Sequence, residues 1–292
     1  MNLRKLFKLI NKKITESLNI VKGLLLILFF SSFKTSRKMN KIYTQKKDCM
    51  ILANGPSLKS ELSSIQNDRK SCELFVLNYF CLSEYFFQLK PEYYCIADPI
   101  VFNSNEGVLK YKSKVDSFIQ ILNQVNWTCK FFYPSHFDTS IVIDKIKNPF
   151  VEKIKYNFTP LSSESIFIFR LYSKNLLMPV PESVIIPSIF ITINMSFKNI
   201  HLFGVDHSWV TNLKVYKDNT SSFVLDHFQE TVNGGNRKDS KQKNDRSVSR
   251  FMLTQYRLFR SHEILQKYAD FKKVKIINRT QNSFIDSYEK KY

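Results

Sequence analysis

The chain has 292 residues, 43% of them hydrophobic, and a formal net charge of +19 at pH 7. This length can form one large hydrophobic core or two small ones. Residues 1–47 contain 12 Lys/Arg and one acidic residue, whereas the rest of the chain contains 32 Lys/Arg and 24 Asp/Glu. The positive excess is therefore concentrated in an N-terminal arm. Because no zinc-finger or RNP-type aromatic pattern is present, we expect no nucleic-acid partner.

The five cysteines are odd in number, and no two have the spacing of a Cys-x-x-Cys motif. Several lie within apolar runs, which is typical of small buried side chains in a reducing compartment. We therefore expect a cytoplasmic protein without disulfide bonds.

The N-terminal arm, residues 1–47, has the pattern of a basic amphipathic helix. Its apolar residues recur at helical spacing between Lys and Arg side chains, and an apolar stretch follows at 23–30. That stretch is shorter than the ~20 residues needed to span a bilayer. We expect residues 1–38 to lie on the inner face of a membrane as a peripheral anchor. Two alternatives remain open, namely a short membrane span at 20–33 and a helix docked on a core or partner. A cleaved signal peptide is disfavoured, because no site of small residues follows the apolar stretch.

From residue 48 onward, short apolar runs alternate with helical patterns. The runs lie at 49–53, 74–77, 93–97, 130–133, 199–203 and 274–277, and the helical patterns lie near 59–66, 82–89, 107–125, 183–196 and 247–269. This alternation predicts an α/β domain over 48–292, Rossmann-like, with a mostly parallel sheet and helices on both faces. Two segments interrupt it. We expect 135–180 to be a lid or acceptor-binding insertion, and 229–247 to be a mobile surface loop.

Polar residues follow the predicted strands in order. Asn54 to Ser57 follow the first, Asn78 the second, Asp98 the third, and Asp206 and His207 the fifth. In open α/β sheets, ligands bind outside the carboxyl ends of the strands. The sequence therefore predicts that these residues meet around one cleft.

The loop Asn54-Gly55-Pro56-Ser57-Leu58 is the sharpest local signal. Gly55 allows the backbone to turn and approach a ligand closely, and Pro56 suits the first turn of a helix. Ser57 and the N–H groups of that turn would then hold a phosphate. The alternative is an ordinary strand-to-helix turn without a ligand.

Candidate catalytic groups are acidic residues and histidines near the predicted strand ends. Asp98 and Asp206 could bind a divalent cation, a ribose hydroxyl or an acceptor, or could simply cap helices. His207 could act as a general base or donate to a leaving phosphate, and His227 is a second candidate. No cluster has zinc-ligand spacing, so no metal ligand is predicted.

The run 51–58 resembles the opening motif of bacterial sialyltransferases that use CMP-activated sugars. It equally resembles the family of domain of unknown function 115, which includes archaeal 6-hydroxymethylpterin diphosphokinase and the motility-associated factors that modify flagellin. Segments 97–99, 204–209 and 274–287 resemble later blocks of the second grouping, so that the similarity extends from about residue 49 to 289.

This resemblance implies a Rossmann-like fold in which residues 54–58 and Asn78 contact the nucleotide and its phosphate. Ser183 lies where the sialyltransferases have a Ser-Gly segment near the donor. His207, Ser208 and Trp209 stand where those enzymes have tyrosines. The late loop that carries their general-base histidine has none here, so His207 or His227 would replace it.

The sequence thus favours a membrane-associated glycosyltransferase of surface-glycan assembly. Its donor would be a nucleotide-activated, CMP-linked sugar and its acceptor a glycan or lipid-linked glycan. No cofactor would be required, because a CMP leaving group already carries its phosphate. One alternative is a diphosphokinase that uses ATP and Mg²⁺ held by Asp98 and Asp206. Another is a non-catalytic nucleotide-binding protein of the same fold.

Overall fold

The computed structural model describes residues 3–98, 112–135, 140–222 and 247–292. Its centre is an eight-stranded sheet in which every neighbouring pair of strands is parallel. The strands of this sheet are β1 (Asp48–Leu52), β2 (Cys72–Leu77), β3 (Tyr93–Cys95), β4 (Cys129–Pro134), β5 (Val151–Tyr156), β6 (Asn199–Phe203), β9 (Lys275–Asn278) and β10 (Glu289–Lys290). All six predicted strands are confirmed. Two short strands, β7 (Lys214–Val215) and β8 (Ser221–Ser222), form a separate antiparallel pair.

The strand order is β10-β9-β6-β1-β2-β3-β4-β5. The chain builds outward from β1 to β5, then returns to the other side of β1 with β6 and continues outward again. The order therefore reverses between β1 and β6. Such a reversal opens a crevice at the carboxyl ends of the two strands, because the helices that follow them lie on opposite faces of the sheet.

Helices cover both faces, as the sequence predicts. One face packs on α3 (Leu58–Asp68), α4 (Tyr85–Leu89) and α5 (Lys112–Gln124). The other packs on α7 (Ile166–Ser173), α8 (Ile185–Asn194) and α9 (Val248–Lys272). Alternate residues of β1 enter the two layers: Met50 and Leu52 face α3, while Cys49 and Ile51 face α8. A continuous apolar run is typical of a strand that is buried on both sides.

The N-terminal arm forms α1 (Leu3–Phe30) and α2 (Phe33–Met39), with a bend of 96° between them. The bend is held to the domain, because Ser32 N–H donates to Asn157 Oδ1 and Asn157 Nδ2 donates back to Ser32 O. Ile27 and Met39 belong to the main core. The part of the arm from about Ile27 onward is thus packed on the domain. The predicted boundary between the arm and the α/β domain at residue 47 stays a prediction.

Within the described residues, no single helix meets the length and apolarity needed to cross a membrane. The bent pair Lys13–Phe30 and Phe33–Met39 meets them only when its two helices are taken together.

The segment 135–180 requires a correction. Val151–Tyr156 within it is not part of an insertion but the edge strand β5, paired with β4 along its whole length. Its residues alternate between buried and more exposed positions, so it lacks the continuous apolar run of the central strands. Around it lie a short helix, α6 (Ser140–Ile143), and α7. The predicted loop 229–247 lies outside the described residues except for Ser247, whose hydroxyl caps α9.

Candidate functional site

A cleft opens at the carboxyl ends of β1, β2 and β6, where the strand order reverses. It is lined by residues from four segments, namely Ala53 to Pro56, Leu77 and Asn78, Ser183 to Ile185, and Gly204 with Asp206 to Trp209 and Asn212. Most of the predicted site residues thus lie together. The enclosed cavity measures about 90 Å³. Ligand pockets usually measure ~300 Å³ or more, so a nucleotide would have to extend out of this cavity or widen it.

Three residues around the cleft have a left-handed backbone conformation, which glycine adopts without strain and other residues adopt less often. Asn78, Gly204 and His207 all have positive φ, at 43°, 65° and 50°. At Gly204 a side chain is excluded, because a Cβ would lie 2.8 Å from the carbonyl oxygen of Ala53. Asn78 is fixed by its side chain, whose Oδ1 accepts from Ala97 N–H, and by its carbonyl, which accepts from the Tyr94 hydroxyl. Such conformations are concentrated at functional sites in proteins.

The predicted phosphate loop is closed by a carboxylate of the chain itself. Asp206 Oδ2 accepts from the Ser57 hydroxyl at 2.8 Å, and Oδ1 accepts from Ser57 N–H at 3.3 Å. A Cβ on Gly55 would overlap with Asp206 Oδ2 and Gly204 O. The close approach that glycine permits is therefore made to Asp206 and Gly204. A phosphate could reach Ser57 only by displacing Asp206.

The other predicted residues are distributed as follows. Leu58 is fully buried in the α3 layer and its N–H donates to Gly55 O, so its side chain is in the core and not at the cleft. Asp98 is half-buried after β3 and is not among the described residues that line the cleft. His227 lies outside the described residues.

A second helix start offers an anion site inside the cleft. The residues that open α8, Ser183 to Ile185, line the cavity. The first N–H groups of a helix have no intrahelical acceptor and carry a partial positive charge. In α8 the N–H of Ile186 already donates to Ser183 O and Pro187 has no N–H, so the groups left for an anion are those of Val184 and Ile185. No Lys or Arg is among the described residues that line the cleft, and Asp206 is the one carboxylate among them. This setting suits a single phosphate better than a triphosphate without a metal.

His207 lies in the wall of the cleft and contacts a second buried histidine. Its Nε2 is 3.3 Å from His262 Nε2, and His262 Nδ1 is 2.8 Å from the Tyr288 hydroxyl. Burial lowers the pKa of His207 to about 4. Burial and the neighbouring His207 together lower the pKa of His262. The imidazole of His207 is therefore neutral at pH 7 and a weak base.

Two polar atoms of the cleft residues are left without a hydrogen-bond partner among the described residues. They are Asn54 Oδ1 and His207 Nδ1, and both are buried. Because an unpaired buried polar atom costs ~1–3 kcal/mol, such atoms require an explanation. A ligand in the cleft would provide partners for them.

Glu61 was not predicted from the sequence. It lies in the first turn of α3, accepts from Gly204 N–H at 2.9 Å, and supports the loop from behind. Burial, with a smaller contribution from the Asp206 carboxylate, raises the pKa of Glu61 to about 7, although the hydrogen bond from Gly204 N–H acts in the opposite direction. Burial likewise raises the pKa of Asp206. The sequence shows only that Glu61 lies four residues after Ser57, the residue before α3. A capping box has its Glu three residues after the N-cap, so this spacing did not identify Glu61.

The C-terminal block holds the loop after β6 in place. Val205 N–H donates to Thr280 Oγ1, Ser283 Oγ donates to Val205 O, and Phe284 N–H donates to Asp206 O. Thr280 is fully buried and Ser283 nearly so. The segment 274–287, which the sequence relates to a family block, thus positions Asp206 and His207.

At the other end of the sheet, potential metal-ligand atoms of Asp48, Cys72 and His201 lie within 4.8 Å of one another. His201 Nδ1 accepts from Arg279 Nε, and burial and the Arg279 charge lower the pKa of His201. A guanidinium on the histidine opposes cation binding there.

The chain is thus an α/β protein with a parallel sheet and a polar cleft where the strand order reverses, which is the place where proteins of this architecture bind ligands. A family model for 6-hydroxymethylpterin diphosphokinase MptE-like proteins matches residues 28–212. This match covers well over half of the chain, and the chain belongs to that family. The matched region begins near the end of α1 and ends just after His207, so it contains every described residue that lines the cleft.

Comparison with curated proteins gives no match. Among solved structures, a MAf glycosyltransferase from Magnetospirillum magneticum AMB-1 aligns with a TM-score of 0.49 and 11% sequence identity. The alignment covers 88% of this chain and 37% of that one, so this chain spans little more than a third of that protein's length. Similarity at this level implies no common substrate.

Proposed function

We propose that the chain is a glycosyltransferase that binds a nucleotide-activated sugar in the cleft between β1 and β6. The observation that carries this proposal is the convergence of Asn54, Asn78, Ser183 and His207 at the point where the strand order reverses. The unpaired Asn54 Oδ1 and His207 Nδ1 supply hydrogen-bonding groups for the ligand. Family membership supports a nucleotide-dependent transferase.

The charge of the cleft favours a donor with one phosphate. A CMP-linked sugar carries a single phosphodiester charge, which the start of α8 can stabilise without a metal. A sugar linked through a diphosphate, or ATP, would carry more negative charge next to Asp206. In the reaction, the bond from the anomeric carbon to the phosphate oxygen breaks, the acceptor hydroxyl oxygen bonds to that carbon, and CMP and a proton are released.

The low pKa of His207 favours one of the two roles that the sequence predicts for it. A base whose pKa is about 4 is poorly matched to removing a proton at pH 7. In the tautomer in which the Tyr288 hydroxyl donates to His262 Nδ1, His262 Nε2–H donates to His207 Nε2, and the proton of the neutral His207 ring is then on Nδ1. We therefore assign His207 to donating a hydrogen bond to the leaving phosphate. Asp206 would contact the acceptor hydroxyl once a ligand displaces it from Ser57.

A diphosphokinase is the second candidate, because the matching family model describes such an enzyme. It would need Mg²⁺ to offset the charge of ATP, with Asp206 as the carboxylate ligand available at the cleft.

The acceptor of the glycosyltransferase would be a glycan or a lipid-linked glycan. We also propose that the chain lies at the cytoplasmic face of a membrane, because α1 exposes a row of apolar residues and the lysines Lys13 and Lys22.

A donor screen tests this proposal. Purified full-length protein is incubated with CMP-, UDP- and GDP-sugars and with ATP plus a hydroxymethylpterin, and the released nucleotide is measured. We expect CMP release that persists in EDTA. The His207→Asn variant should lower kcat about 100-fold, in the range for loss of one preorganised donor, while KM changes little. Release of AMP from ATP that EDTA abolishes would instead establish the diphosphokinase.

A further inference from the structure

A second cavity lies at the far edge of the sheet and shares no described residue with the cleft. It measures about 650 Å³ and is bounded by the end of α1, by α2, and by β4 and β5. Four lysines line it, namely Lys34 and Lys38 of α2 and Lys153 and Lys155 of β5. We call this cavity the lysine pocket. Ser31, Ser32, Thr35 and Ser135 also line it.

The lysine pocket has the chemistry of a phosphate site. No acidic residue is among its described lining residues, and no ion pair is recorded for its lysines among the described parts of the chain. The amine of Lys38 donates to Lys153 O, and that of Lys153 donates to Ile143 O and Ile146 O. Lys34 and Lys155 are exposed. The exposed lysines Lys34 and Lys155 are therefore the ones whose ammonium groups have no carbonyl partner among the described residues, and positive charges that line one cavity attract an anion.

The pocket opens beside an exposed apolar surface. Phe29 and Phe30 line it, and Phe29 ends a row of apolar side chains along α1 that are 46–74% exposed. The row, which we call the apolar stripe, consists of Phe7, Ile10, Ile14, Leu18, Val21, Leu25, Leu28 and Phe29. Their spacing of three and four residues puts them on one side of the helix over ~33 Å.

The opposite side of α1 is already occupied by the domain. A Cβ on Gly23 would lie 3.0–3.2 Å from Leu161, Ile168 and Leu177, and Ile27 is in the core. The apolar stripe therefore points away from the protein. The bend after Phe30 is bonded to Asn157, so α2 stays on the domain rather than continuing into a bilayer.

We propose that the lysine pocket binds the phosphate of an anionic phospholipid while the apolar stripe lies in the interface of the same bilayer. A helix that lies in the interface buries its apolar side among the acyl chains, and basic groups next to that helix are then close to the lipid phosphates. This inference rests on the membrane location proposed above but not on the nucleotide cleft.

Vesicle co-sedimentation tests the inference with the full-length protein. Vesicles of phosphatidylcholine alone are compared with vesicles that contain 30% phosphatidylglycerol, at low and high salt. We expect binding to the anionic vesicles to be stronger and to weaken with salt. The double variant Lys34→Gln/Lys155→Gln should bind them on the order of 20-fold more weakly, from the loss of two charges near the surface. The matched control Lys59→Gln/Lys70→Gln removes two exposed charges on and after α3 and should change binding much less.

Further arms separate the possible failures. Ile14→Ser/Leu18→Ser should reduce binding to both kinds of vesicle, because it removes part of the apolar stripe. If the wild type binds neither kind of vesicle, the membrane location is wrong. If it binds anionic vesicles but the two lysine double variants bind equally well, the lysine pocket is not the lipid site. Tight binding of inorganic phosphate, with vesicle binding unchanged by Lys34→Gln/Lys155→Gln, would assign the pocket to a soluble anion and overturn the inference.

Discussion

Replacing Gly55 with alanine is expected to destabilise the protein by about 3 kcal/mol or more, at the upper end for overpacking. The added Cβ would overlap with Asp206 Oδ2 and with the carbonyl oxygen of Gly204. The carboxylate can rotate, but the carbonyl belongs to a segment held by Thr280 and Ser283. Relief therefore requires the loop to separate from the end of β6, and the wall of the cleft would be lost with it.

Urea unfolding of both proteins measures this effect. Gly23→Ala is the matched control, because its Cβ meets only the ends of flexible side chains, at 3.0–3.2 Å. It also gains ~1 kcal/mol of helix propensity, so its net change should stay within about 1 kcal/mol. Equal stability of Gly55→Ala and wild type would show that the loop and the β6 end do not pack as described.

The second large effect is acid destabilisation through the buried histidines. Because the pKa of His207 is about 4 in the folded chain and 6.5 in the unfolded one, its contribution to stability is complete above pH 6.5. That contribution is lost as the pH falls toward 4, and the loss amounts to about 3 kcal/mol. Glu61 acts in the opposite direction, since its raised pKa favours the folded state at low pH.

The variant His207→Asn isolates the contribution of His207 protonation to the free energy of unfolding. Asparagine tolerates the positive φ of 50° at this position and does not titrate. Urea unfolding at pH 7.0, 5.5 and 4.5 should show that the wild type loses about 2.5 kcal/mol relative to the variant between the first and the last pH. Parallel pH profiles of the two proteins would mean that His207 is not buried next to His262.

The architecture was predictable because burial leaves a direct trace in the sequence. The central strands are continuous apolar runs, and helical spacing marks the segments between them. The edge strand β5 escaped prediction for the same reason, since Glu152, Lys153 and Lys155 interrupt its apolar pattern. Nothing in its local sequence shows that α2, more than 100 residues earlier, would cover it.

The cleft was predictable as a location but not as a set of contacts. Asn54, Asn78 and Asp206 each follow a strand, and parallel strands end at the same edge of a sheet. Their common edge therefore follows from the predicted parallel sheet alone. The hydrogen bond between Ser57 and Asp206 joins residues 149 positions apart, so the sequence could not show it, and the phosphate-binding role of the loop stays a prediction. His262 lies in the long helix α9 with no local motif, so its pairing with His207 could be found only in the folded chain.

The central claim is that the cleft between β1 and β6 binds a nucleotide, and calorimetric titration of CMP into the full-length protein tests it most directly. The account predicts one site, weakened about tenfold in Asn54→Ala by the loss of one hydrogen-bonding side chain. Asn67→Ala, an exposed position on α3, should bind like wild type. If CMP gives no heat of binding, or if Asn54→Ala and Asn67→Ala bind it equally well, the cleft is not the nucleotide site.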